Sequence, residues 1–124
     1  MMIIGIGCDI IEINRVEKAV KSESFKQRVF TEAEIAYCES RGKQQFASFA
    51  ARFAAKEAVL KAFGTGLRGG ALTDIEVLND ELGCPQMTLT AYHKELAENK
   101  GVQKIHVTLS HSKDSAMAYV VLEG

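Results

Sequence analysis

The chain lacks any apolar run long enough to span a bilayer, and it does not open with the basic-then-apolar segment of an export signal. A cytoplasmic protein with no membrane contact is therefore expected. Cysteine is sparse: Cys8, Cys38 and Cys84 are odd in number, far apart and form no CxxC pair. That excludes a disulfide framework and a zinc knuckle, and it fits a reducing compartment. A single proline, Pro85, and the absence of low-complexity stretches or repeats leave no candidate linker, so the 124 residues read as one domain, 1–124. Strong charge is missing too. A net charge of -1 argues against a general nucleic-acid or membrane-surface binder.

Against that plain background one segment stands out, Arg52-Phe-Ala-Ala-Lys56-Glu57-Ala-Val-Leu-Lys61-Ala-Phe-Gly64-Thr-Gly66. Phe49, Phe53, Leu60 and Phe63 recur at three- and four-residue spacings and predict an amphipathic helix over about 44–63, stopped by Gly64. Arg52, Lys56, Glu57 and Lys61 are read as filling the neighbouring face. Three cations beside one carboxylate, ending in a glycine loop, suit a polyanion and a divalent metal. The competing reading is a solvated helix with ordinary ion pairs.

Ile3 to Ile11 has the β-branched composition of a buried strand. Alternation places Ile4, Ile6, Cys8 and Ile10 on one face and Gly5, Gly7 and Asp9 on the other. The glycines either clear space for a bulky group beside Asp9 or mark close backbone packing. Cys8 is expected in the core. Asn14 and Glu17 predict a helix start running to about Ser22, and Thr31 with Glu34 predicts a capping box for a helix ending near Gly42. Strands are expected at 74–78 and 85–89, a helix capped by Thr90 at 91–100, and a terminal hairpin at 105–110 and 116–122. The order gives an α+β fold, an antiparallel sheet with packed helices.

Gly64-Thr-Gly66-Leu-Arg-Gly69 matches GxGxxG in letters only. The glycines follow a helix and lead into a strand, the reverse of a dinucleotide fingerprint, although such a loop can still bring amides to a phosphate. Asp9 and Glu57 are the carboxylates in the most constrained surroundings, and oxygen ligands of this kind suit Mg²⁺. Ser110-His111-Ser112 lacks the context of a Ser-His-Asp triad, and His93 and His106 read as structural. The segment Asn14 to Arg28 carries Arg15, Lys18, Lys21, Lys26 and Arg28 against Glu17 and Glu23, with Val16 and Phe25 as apolar contacts. It is either a landing strip for an acidic partner or a solvated helix face.

Gly5-Ile-Gly-Cys-Asp9 through Arg15, then Phe30-Thr31-Glu-Ala-Glu34, the Arg52–Gly66 block and Leu109-Ser-His111-Ser with Ala116-Met-Ala-Tyr-Val resemble, in order and spacing, the landmarks of the small 4'-phosphopantetheinyl transferases called holo-(acyl-carrier-protein) synthases. The resemblance implies a homotrimer with sites in the clefts between subunits. It implies transfer of the phosphopantetheine arm of coenzyme A to a serine of apo-acyl carrier protein, for fatty acid biosynthesis. It makes Asp9 and Glu57 the Mg²⁺ ligands and Asp9, Glu57 and Lys61 catalytic. Arg52, Lys56, Lys61, Gly64 and His111 become coenzyme A positions, and Arg15, Lys21, Phe25 and Arg28 the docking surface for the carrier protein.

Overall fold

The computed structural model describes all residues, 1–124. Strand β1 (Ile3–Glu12) leads directly into three short helices, α1 (Ile13–Ala19), α2 (Glu23–Val29) and α3 (Glu32–Glu39). The long α4 (Gln45–Phe63) follows, then the hairpin β2 (Ile75–Asn79) and β3 (Pro85–Leu89), helix α5 (Ala91–Asn99), and the hairpin β4 (Lys104–His111) and β5 (Ser115–Glu123). The strands form two antiparallel sheets, one of order β1-β5-β4 and one of β2 and β3 alone. The fold class is thus α+β, as expected.

Helix α4 is the axis on which everything else packs. Alanines at 50, 51, 54, 55, 58 and 62 keep it narrow, and its neighbours close in around most of its circumference. On one side Val59 and Phe63 meet Ile75, Val77 and the inner face of β5, Ala118, Val120 and Leu122. On another, Phe49 and Ala50 meet Val16, Val20, Val29, Phe30 and Cys38 from the three short helices. The Phe30 and Phe49 rings lie 4.9 Å apart, a contact that adds about 0.5–1.5 kcal/mol beyond simple burial. Gly64 ends the helix in a left-handed turn at φ 79°, a conformation glycine adopts without steric cost.

Strand β1 resolves the choice its sequence left open. Gly5 and Gly7 face α4, and a Cβ on either would run into the backbone oxygen of Ala62 or Ala58. The glycines therefore make room for a helix backbone. The opposite face of β1 is open: Ile6 and Ile10 are 66% and 67% exposed. Cys8 shares that face and is exposed, against the expectation of a core thiol, whereas Cys38 is the buried cysteine. The apolar run at 3–11 reflects a strand with a second apolar face left uncovered within one chain.

The other departures lie in the first helical stretch. Asn14 is not a cap; Glu12 precedes α1 and offers no side-chain hydrogen bond. The chain breaks after Ala19, and Ser22 caps a separate α2 by accepting from the Phe25 N–H. Thr31 and Glu34 do form the full capping box, but α3 stops at Glu39, before the expected end near Gly42. Thr90 stands at the N-terminal boundary of α5 and its side chain makes no capping bond there.

Candidate active site

The glycine-spaced approach of β1 to α4 brings Asp9 to the last turns of the helix. Lys61 Nζ donates to Asp9 Oδ1 at 2.9 Å and to the Cys8 carbonyl at 3.1 Å. The lysine side chain remains 57% exposed and that of Asp9 only 17%, so the pair sits on a rim open to solvent. Glu57, one turn before Lys61, is half-buried beside them. Burial first, then the Asp9 charge, push its carboxyl above the usual range, with Lys61 opposing. Asp9 in turn raises Lys61, by hydrogen bond and by charge.

Two carboxylates forced together at a half-open rim fit a hard divalent cation. A dication would relieve the repulsion that raises Glu57, and Mg²⁺ needs only one or two protein carboxylates. No group of three His, Cys, Asp or Glu side chains able to hold a metal ion forms at the rim, so the chain offers these two carboxylates alone.

The four charged residues of α4 do not share a face, and this corrects the sequence reading. Nine positions separate Arg52 from Lys61, about two and a half turns at 3.6 residues per turn, so the two side chains leave opposite sides of the helix. Lys56 is fully buried, and its ammonium donates to Glu34 Oε1 at 2.7 Å, to the Leu72 carbonyl at 3.1 Å and to the Ile75 carbonyl at 2.6 Å. All three of its N–H groups are bonded inside the protein, which makes Lys56 a brace between α3, α4 and β2. Glu34 is satisfied from the other side by the Thr31 and Val77 N–H groups.

Arg52 is buried as well, but at the edge of a cleft of about 220 Å³ lined by Tyr37, Arg41, Asn79, Pro85 and His111 among others. Its Nε donates to the Val77 carbonyl at 3.0 Å, Nη1 to Ser48 Oγ at 3.0 Å and Nη2 to Asn79 Oδ1 at 3.1 Å. The Tyr37 ring lies 4.5 Å from its guanidinium carbon. A fixed guanidinium, the exposed Arg41 and His111 at the end of β4 make this cleft a place for an anion with a flat group attached. Tyr37, Ser48 and Asn79 were not singled out from the sequence. The signal for Tyr37 was present: it follows Glu34 by three residues on a helix whose cap was legible.

His111 occupies the edge strand β4, and Asp9 the opposite edge strand β1 of the same sheet. The Asp9–Glu57–Lys61 rim and the Arg52–His111 cleft therefore lie on opposite flanks of one chain. Ser112 Oγ accepts from the Ser115 N–H and closes the hairpin turn. Gly64 caps α4 just past Lys61. His106 pairs with Glu123 at 3.0 Å on the open sheet face, and His93 is buried against Asp74.

In the basic segment, Arg15, Lys18, Lys21 and Arg28 are exposed on α1, α2 and the turn between them. Lys26 is held by Glu23 at 3.1 Å and Glu39 at 2.9 Å, which removes it from the free positive charge. Val16 belongs to the core and is unavailable to a partner, contrary to the sequence reading. Phe25 is half-buried, its ring 6.3 Å from Phe53 and 6.5 Å from Phe30.

Residues 5–120 match the 4'-phosphopantetheinyl transferase superfamily, and the chain belongs to that family. Within it, a holo-(acyl-carrier-protein) synthase of Clostridium tetani is 48% identical over 124 residues, covering 99% of this chain and 98% of the relative. A solved holo-(acyl-carrier-protein) synthase of Neisseria meningitidis superposes with a TM-score of 0.90 at 34% identity, over 99% of this chain and all of the other. The Bacillus anthracis synthase, solved in complex with coenzyme A (3',5'-ADP), gives a TM-score of 0.81 at 40% identity, over 98% of this chain and 97% of that one.

Proposed function

We propose that this protein transfers 4'-phosphopantetheine from coenzyme A to a serine hydroxyl of apo-acyl carrier protein, releasing adenosine 3',5'-bisphosphate and supplying holo-carrier for fatty acid biosynthesis. The observation that carries the reading is the Asp9–Glu57–Lys61 rim, the arrangement a diphosphate displacement needs, in a chain so close over its whole length to carrier-protein synthases.

The serine oxygen attacks the β-phosphorus, and the bond from that phosphorus to the oxygen of the departing adenosine bisphosphate breaks. Asp9 and Glu57 would hold Mg²⁺, which supplies neutralisation of the diphosphate charge. Lys61, fixed by Asp9 yet open to solvent, stabilises the negative charge that grows on the phosphoryl and leaving oxygens. Glu57 would take the serine proton through one water. The Arg52–His111 cleft receives the adenosine end of coenzyme A.

Because the rim and the cleft lie on opposite flanks of one chain, a complete site requires one flank of each of two neighbouring copies. The uncovered apolar face of Ile6, Ile10 and Tyr119 gives those copies something to bury, and the reading is a homotrimer with clefts between subunits. No helix is long and apolar enough to cross a membrane, which is compatible with work in the cytoplasm.

The test is incubation of apo-carrier protein with coenzyme A, Mg²⁺ and this chain, followed by mass measurement. The carrier should gain one phosphopantetheine group. Phosphate release from coenzyme A with no carrier present would make the protein a phosphohydrolase, and binding with no change in carrier mass would make it an adaptor.

A further inference from the structure

We infer that Asp74 and His93 are positioning residues, a latch that holds the return limb of the glycine loop 64–71 beside the end of α4 that carries Lys61; the inference rests on the transfer reading above. The loop has little stiffness of its own. Gly64, Gly66, Gly69 and Gly70 all take positive φ, from 63° to 81°, and inside the loop only the Arg68 N–H and the Thr65 hydroxyl bond back, both to the Gly66 carbonyl. A segment with so much backbone freedom stays in one place only if its ends are tied.

The outgoing end is tied by the cap of α4 at Gly64. The return end is tied by a cluster around Asp74. Asp74 Oδ2 accepts the Ala71 N–H at 3.2 Å and lies 3.1 Å from His93 Nδ1, which is the donor of that pair. The Asp74 carbonyl accepts the Thr90 N–H at 2.8 Å, stitching the limb to the start of α5. Gly69 and Gly70 lie against Tyr92; a Cβ on them would come within 3.0 Å and 2.8 Å of its atoms. Lys56 holds the Leu72 carbonyl from beneath.

Two local costs accompany this arrangement. Ala91, just before Tyr92 and His93, sits at φ 50°, in the left-handed region that side chains other than glycine's avoid. His93 Nε2 is buried and makes no hydrogen bond to the protein. Strain and an orphaned polar atom side by side are kept where the geometry they enforce is needed. What they enforce is the seat of the loop return at Ala71, four residues past which the chain re-enters the core at Ile75. With the limb latched, residues 64–68 stay next to Lys61, where the diphosphate must lie. Unlatched, the binding-competent arrangement becomes a fraction of a wider ensemble, and apparent affinity falls by that fraction.

The experiment compares wild type with His93→Leu, which fills the space without a donor, and His93→Asn, whose amide can donate from the position of Nδ1. Arg68 is the one Lys or Arg in the loop, so trypsin cleavage after it reads loop opening directly. His93→Leu should be cut roughly 5- to 10-fold faster, the scale of one lost hydrogen bond of ordinary net strength, and its KM for coenzyme A should rise by a similar factor. The KM for carrier protein should stay near wild type, the midpoint of thermal unfolding should fall by only a few degrees, and His93→Asn should restore the affected values. Wild-type cleavage and KM in His93→Leu would overturn the latch. So would losses confined to unfolding temperature, which would make His93 a packing residue. The cleavage arm needs no transfer activity, so failure of the transfer reading and failure of the latch are separate results.

Discussion

Lys56 and Lys61 leave the same helix five positions apart and meet opposite fates. Lys61 keeps its ammonium on an open rim with one carboxylate partner. Lys61→Ala should leave stability near wild type and lower kcat by about 30- to 1000-fold, the effect of removing roughly 2–4 kcal/mol of transition-state stabilisation. Lys61→Arg should recover little, because a planar fork replaces a point charge. Steady-state kinetics with both substrates, beside a denaturant melt, checks this. Lys56 is enclosed, and burial pulls its proton affinity down while Glu34 pushes back. Lys56→Met should cost about 3–5 kcal/mol in a denaturant melt, because the buried Glu34 carboxylate then has no counter-charge. Its folded fraction should bind coenzyme A as wild type does; a selective loss of that affinity would return Lys56 to the cofactor site.

At the scale of elements, what could be read in advance followed how local the signal was. The α3 capping box, the α4 stop at Gly64 and the terminal hairpin each depend on a few adjacent residues, and each is present. The break after Ala19 was missed because Ser22 had no apolar run of its own to announce a new helix, and α1 starts without a side-chain cap. That Arg52 and Lys61 leave opposite sides of α4 follows from the helical period alone and was missed. The burial of Arg52 and Lys56 comes from β2, which reaches α4 only through tertiary contact and which spacing does not reveal. The basic segment changes in detail for the same reason. With Lys26 tied to two glutamates, the free cations are Arg15, Lys18, Lys21 and Arg28, with Glu17 among them. Arg15→Glu should raise the KM for carrier protein about tenfold and leave that for coenzyme A unchanged, with added salt narrowing the gap. Equal effects on both substrates would make α1 a support for the fold.

For the whole molecule, the site was legible as residues and illegible as a place. Asp9, Glu57 and Lys61 were named from sequence and do converge, through the glycine-mediated contact of β1 with α4. Arg52 and His111 were also named, yet they face the other flank, Arg52 by the helical period of α4 and His111 because β4 and β1 are opposite edges of the sheet. The sheet face of Ile6, Ile10 and Tyr119 carries the oligomeric reading, since a strand apolar on both faces in one chain is half-solvated without a neighbour. Sedimentation at micromolar concentration should give about three times the chain mass, and an active monomer would refute assembly.

The division of charge across α4 has a genetic consequence. If each working cleft borrows one flank from each of two subunits, a chain crippled at Asp9 and a chain crippled at His111 are not equivalent losses. Mixed after unfolding and refolded together, Asp9→Ala and His111→Ala chains, each inactive alone, should regain part of the wild-type rate. Some clefts in the hybrids then unite two undamaged flanks, while others collect both lesions. The gene would show complementation between alleles, and one defective subunit would spoil only the clefts it touches.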